Sequence, residues 1–124
     1  MATILIIDDE PQMRLLVARV LRSAGHDVTE AKNGAEGLEV FRAMRQELVI
    51  TDLFMPETEG IETLRELRQM APEVRVIVMS GGYASATVMY LDMATKLGAD
   101  GTLEKPFLPS ALLKMVGELC RKEA

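Results

Sequence analysis

The chain has 124 residues, a formal charge of −5 and a single cysteine. That length bounds it to about one domain, able to bury roughly two-thirds of its unfolded surface without disulfides or structural zinc. The acidic balance, with no basic stripe, excludes broad nucleic-acid binding, which needs a positive face to displace counterions from phosphates.

No apolar stretch is long enough to span a bilayer, and no basic region followed by a long apolar core opens the chain. A cytoplasmic location is therefore expected, and Cys120 alone offers neither a disulfide framework nor zinc-type spacing. Its expected place is as apolar filler on the last helix. Without a repeat, a low-complexity tract or a Ser/Gly-rich linker, residues 1–124 read as one domain with no output domain.

Thr3 to Ile7 is a β-rich apolar run that stops at Asp8-Asp9-Glu10. Pro11 suits a first helical turn, and Met13, Leu16, Val17, Val20 and Leu21 recur at helical spacing until Gly25. Glu10 reads as a solvated acid near the helix start, and His26, the only histidine, as a surface residue. Asp27 to Ala31 predicts a second strand, and Asn33 can cap a second helix with Leu38, Phe41 and Met44 as its buried stripe.

The next stretch, Leu48-Val49-Ile50-Thr51-Asp52, has the composition of a strand buried on both faces, and it ends on an acid with Met55-Pro56 following. After Gly60, the residues Ile61, Leu64, Leu67 and Met70 predict a third helix closed by Pro72. Arg75 to Met79 is a fourth strand, ending at Ser80-Gly81-Gly82. A helix over about 85–97 follows, with Gly98 past its end, then a short strand from Gly101 to Glu104 into Lys105-Pro106, and a last helix from about Pro109 towards Arg121.

Strict strand–helix alternation implies an α/β fold, a doubly wound five-stranded parallel sheet with right-handed crossovers and helices on both faces. In such sheets ligands bind at the carboxyl ends of the strands. Those ends carry Asp8-Asp9, Asp52, Ser80 and Lys105. Crowded carboxylates repel one another unless a hard divalent cation offsets them, and Mg²⁺, held by one or two carboxylates, waters and a phosphate oxygen, is the natural candidate. Lys105 as a point charge and Ser80 as a donor would complete a phosphoryl cradle, with Asp52 as a carboxylate nucleophile. Each residue also has a plainer reading: Asp8 as a helix cap, Ser80 as a turn hydroxyl, Lys105 as a solvated loop cation.

Asp8-Asp9 after the first strand, Asp52 with Met55-Pro56 and Gly60, Ser80-Gly81 after the fourth strand and Lys105-Pro106-Phe107 after the fifth together resemble a response-regulator receiver domain. The resemblance covers essentially the whole chain. It implies a flavodoxin-like strand order of 2-1-3-4-5, which periodicity does not provide. It implies Asp52 as phosphoacceptor, Asp9, Asp52 and the backbone carbonyl of Phe54 as Mg²⁺ ligands, and Asp8 acting through a metal-bound water. Ser80 and Lys105 would bind phosphoryl oxygens, and the Lys105–Pro106 bond would be cis.

The donor would be a sensor histidine kinase or a histidine phosphotransfer protein. The output would be altered affinity for a downstream protein, with a homodimer also open. By this reading the chain is not a metabolite-turning enzyme. An Asp-nucleophile phosphohydrolase would need an acid two residues after Asp52, where Phe54 stands, and a non-phosphorylated interaction module would not need the acid and lysine set.

Thr102 departs from the family, which often has Tyr or Phe there as an aromatic switch. Tyr83 or Tyr90 is a possible substitute. Phe54 and Gly82 would flank the path of attacking water. Val88, Met89, Tyr90, Leu91, Met93, Ala94 and Leu97 surround more of the 85–97 helix than one buried stripe requires, so the side formed by that helix, the last strand and the last helix is the expected partner or dimer surface.

Overall fold

A computed structural model of the chain describes residues 1–52, 59–80, 92 and 94–120. Five strands, β1 (Thr3–Ile7), β2 (Asp27–Ala31), β3 (Leu48–Asp52), β4 (Arg75–Ser80) and β5 (Gly101–Glu104), form one parallel sheet in the order β2-β1-β3-β4-β5. The described helices that connect or follow them are α1 (Pro11–Ser23), α2 (Gly34–Met44), α3 (Glu59–Met70) and α4 (Pro109–Cys120). Residues 92 and 94–96 are also helical, with Gly98 at φ +106 closing that segment. The expected doubly wound, flavodoxin-like fold is thus the one observed.

Period-two alternation divides the strands between two cores, as a sheet covered on both faces requires. Leu5, Ile7, Val49, Val76 and Val78 pack with Leu38 and Phe41 of α2 and Leu64 and Leu67 of α3. Ile4, Ile6, Leu48, Ile50, Ile77 and Met79 pack on the other face with Val17, Ala18 and Leu21 of α1 and Leu112 and Val116 of α4. Each fully buried Leu or Ile contributes about 1.5–3 kcal/mol of transfer free energy, so the strands apolar on both faces supply much of the core of the fold.

The helix ends follow local chemistry. Pro11 occupies the first turn of α1, and Gly25, at φ +92, ends it in a left-handed conformation that costs glycine little. Asn33 caps α2, its side chain accepting the Glu36 amide at 2.8 Å, while Glu36 Oε1 reaches back to the Lys32 amide at 2.7 Å.

Two expected core residues lie outside the core. Met44 is 56% exposed because Arg45 turns left-handed immediately after it and ends α2, leaving Phe41 as the last inward residue. Leu16 is 51% exposed because Val17, Ala18 and Leu21 form the stripe of α1 that meets the sheet. His26 is half-buried rather than a free surface group: its Nδ1 accepts the Ala2 amide at 3.0 Å and ties the start of β1 to the α1–β2 turn. Cys120 is partly buried against the core, near its expected place. Val88, Met89, Tyr90, Leu91 and Met93 of the expected docking helix, together with Tyr83, lie outside the described residues. Of that helix, Ala94 is buried and Leu97 packs against the core.

Two measurements test this account. A Cβ built on Gly37 would overlap Cγ1 and Cδ1 of Ile7, the buried residue that delivers Asp8, so α2 sits as close to β1 as a glycine allows. Gly37→Ala should cost about 1–3 kcal/mol in denaturant unfolding; an unchanged midpoint would show that Ile7 can move aside. His26 is held below its ordinary value of 6.5, first by burial and then by the positive amino terminus, with Glu47 opposing. Its neutral form is favoured on folding, so its contribution is full above the ordinary value and is lost as pH falls through that value and then the lowered one. Stability should therefore drop more steeply in the wild type than in His26→Asn as pH falls below 6.5.

Candidate functional site

The strand register brings the polar strand ends into one row. β1 pairs Ile7 with Thr51, so the next residues, Asp8 and Asp52, leave adjacent strands side by side. β3 pairs Asp52 with Met79, one residue before Ser80, and β4 pairs Ser80 with Glu104, one residue before Lys105. Because β2 and β3 lie on opposite sides of β1, the chain diverges at the carboxyl end of β1 and β3. The acids flank that opening, where open α/β sheets take their ligands.

The side chains meet there. Lys105 Nζ lies 3.3 Å from Asp52 Oδ2 and 3.5 Å from Asp8 Oδ2. Asp8, Asp9 and Asp52 each place a carboxylate oxygen within 4.8 Å of the others. Asp8 is 0% and Asp52 5% exposed, whereas Asp9 faces solvent. Two buried carboxylates therefore share one ammonium with a third, exposed carboxylate close by, in a setting where repulsion is screened less than in bulk water. The donor set is all oxygen and carries excess negative charge, which fits a hard divalent ion such as Mg²⁺ and not a thiophilic one.

Ser80 ends β4, fully buried, and its Oγ has no hydrogen-bond partner among the described residues. Its carbonyl accepts the Lys105 amide at 2.6 Å, which holds the two strand ends together past the last ladder pair. The Lys105–Pro106 peptide is cis, as the resemblance implies. Asp8 is not the helix cap of the plainer reading, since Glu10 is the N-cap: its Oδ1 accepts the Glu10 amide at 2.9 Å, steadying the turn into α1, while Oδ2 faces Lys105. Glu10 is exposed and is itself the N-cap of α1, without a side-chain cap bond.

The backbone carbonyl of Phe54, expected as a metal ligand, lies outside the described residues, as do Met55-Pro56 and Gly81-Gly82. Thr102 sits half-buried on β5 opposite Val78. Sequence reasoning missed Arg14, whose Nη1 donates to the Asp8 carbonyl at 2.9 Å while its Nε pairs with Glu30 Oε1 at 3.2 Å. The available signal was a cation one turn into the helix after the acids, with an acid on the following strand.

A sequence profile described as "Response regulator receiver domain" matches residues 4–117. The chain is 32% identical to the chemotaxis protein CheY of Thermotoga maritima over 95% of this chain and 97% of that one. It is 36% identical to the sensor kinase CckA of Brucella abortus over 98% of this chain but only 13% of the kinase. The crystal structure of the receiver domain of NtrX from Brucella abortus superposes with a TM-score of 0.90 at 27% identity, covering 97% of this chain and 99% of that one. Sequence profile, fold and the row of strand-end residues agree: the chain belongs to the response regulator receiver domain family.

Proposed function

We propose that this receiver accepts a phosphoryl group on Asp52 from the phosphohistidine of a sensor histidine kinase or phosphotransfer protein. The observation that carries the reading is Lys105 Nζ shared between Asp52 and Asp8, within a triad of carboxylates that also includes Asp9. A carboxylate oxygen of Asp52 would attack phosphorus as the P–N bond to the donor imidazole breaks. The imidazole nitrogen keeps the electron pair and takes up a proton from solvent. Little covalent work is asked of the protein, and positioning with charge neutralisation supplies most of the effect.

Asp8, Asp9 and Asp52, with the Phe54 carbonyl, would hold Mg²⁺, which when bound offsets the negative charge of the incoming group. Lys105 would turn from the acids to one phosphoryl oxygen as a charge-assisted donor. The Ser80 hydroxyl would donate to another, gaining the partner it lacks among the described residues. The resulting rearrangement of strand ends would alter affinity for a downstream protein or for a second copy of the chain. In this reading residues 1–124 act as a single cytoplasmic receiver unit, and phosphorylation and its reversal at one site take the place of metabolite turnover.

Treatment with acetyl phosphate and Mg²⁺ should add one base-labile PO₃ unit to the intact protein, mapped to Asp52 and lost in Asp52→Asn. Absence of the adduct, or sustained release of phosphate from phosphomonoesters, would overturn the proposal. Lys105→Ala should slow adduct formation on the order of 100-fold. In metal-free buffer it should also cost about 3 kcal/mol of stability, because two buried carboxylates lose their cation. Phosphorylation at the wild-type rate would remove Lys105 from the mechanism.

A further inference from the structure

We infer that Arg14 is a positioning residue for the divalent-cation site, acting through the peptide that joins Asp8 to Asp9; this rests on the metal reading given under Proposed function. Asp8 is anchored at every polar group. Its amide donates to the Ala31 carbonyl at 3.1 Å, Oδ1 accepts the Glu10 amide, and Oδ2 faces Lys105. Its carbonyl is held by Arg14 Nη1 at 2.9 Å. A peptide unit is planar, so fixing the carbonyl oxygen of Asp8 fixes the amide and Cα of Asp9. Asp9 is the one exposed carboxylate of the three, with neither burial nor Lys105 to aim it. The direction in which its side chain leaves the backbone is therefore set largely by the Arg14 contact.

The guanidinium is in turn held by Glu30 on the edge strand β2. Arg14 Nε lies 3.2 Å from Glu30 Oε1, with both side chains about four-fifths buried. The rigid fork makes both contacts at once, to a carboxylate on one side and a carbonyl on the other, which a lysine ammonium on a flexible stem would not reproduce. Glu30 also offsets the positive charge that Arg14 brings towards a cation site. Its other oxygen takes Arg22 Nη1 at 3.2 Å, and Arg22 Nη2 donates to the Val28 carbonyl at 3.0 Å. Arg22 has no contact with the acid loop among its described bonds, which makes it the control.

The test is calorimetric titration of the intact protein with MgCl₂ across the wild type, Arg14→Ala, Arg14→Lys, Glu30→Gln and Arg22→Ala. Metal-free thermal midpoints, recorded alongside, separate lost folding from lost affinity. Removing a group that orients a metal ligand typically weakens metal binding about 10-fold or more. That loss is expected for Arg14→Ala and Arg14→Lys, with a smaller one for Glu30→Gln and a change within about two-fold for Arg22→Ala. In acetyl phosphate reactions, the Mg²⁺ concentration for half-maximal rate should rise by the same factor in the Arg14 variants, while the rate at saturating Mg²⁺ stays near that of the wild type.

If the folded Arg14→Lys variant binds Mg²⁺ as the wild type does, the assignment is overturned while the metal reading stands. An equal loss in Arg22→Ala would overturn it too, by tracing the effect to the whole α1–β2 seam. A wild type that takes up no Mg²⁺ would overturn both the assignment and the metal reading beneath it.

Discussion

Three carboxylates and one ammonium meet at the carboxyl end of the sheet, and the imbalance among them is the constraint on which the rest of the site depends. Two of the acids are almost wholly removed from water, where like charges cannot be relaxed by solvent. Lys105 is divided between them at 3.3 and 3.5 Å, distances longer than a well-formed charge-assisted hydrogen bond. One cation shared by two anions leaves the cluster with net negative charge. Such a cluster persists in a folded protein only if the surrounding structure forces it, and its residual charge makes it a receptor for positive charge.

What forces it is the sheet. β1 and β3 are apolar on both faces and cannot slip by one residue without turning a whole set of buried side chains into the opposite core. Register therefore transmits directly to the strand ends: with Ile7 opposite Thr51, the acids that follow must emerge side by side. The close approach of Gly37 to Ile7, and the bond from the Lys105 amide to the Ser80 carbonyl, tighten the same edge from above the ladder and beyond its end. The electrostatic cost is carried by hydrophobic burial elsewhere in the sheet.

Much of this was legible in the sequence because it depends on local rules. The bounds of β1 follow from an apolar run, those of β2 and β5 from short stretches between turn residues, and the Asn33 cap from the preference of its side chain for the first free amides of a helix. The acids and the lysine stood out as polar residues at the ends of buried strands. What local rules do not contain was misread or missed. Met44 and Leu16 fit a helical period but lie beyond the width of the stripe that meets the sheet. His26 looked like a surface residue because its partner, the Ala2 amide, is brought to it only by the pairing of β1 with β2. Arg14 was passed over for a related reason: the Asp8 carbonyl is near in sequence, but Glu30, which completes its contacts, is brought to it by the pairing of β1 with β2. The strand order came from family resemblance, since periodicity is blind to it.

The state of Ser80 bounds how much free energy the proposed switch can draw from this edge. A buried hydroxyl without a partner forfeits about 1–3 kcal/mol relative to one that is bonded, and the Ser80 hydroxyl is such a group among the described residues. A phosphoryl oxygen on the neighbouring strand would supply an acceptor, so the modified protein would recover that amount only in the arrangement that brings the two together. A bias of about 1–3 kcal/mol shifts a two-state equilibrium by roughly 5- to 150-fold, the range expected of a regulatory coupling. Lys105 adds little net to this bias, because a bond formed to the phosphoryl group is offset by bonds loosened to Asp8 and Asp52. In the proposed switch the discriminating element would thus be the small, uncharged side chain at the end of β4, with the charged residues serving mainly to bring the phosphoryl group within its reach.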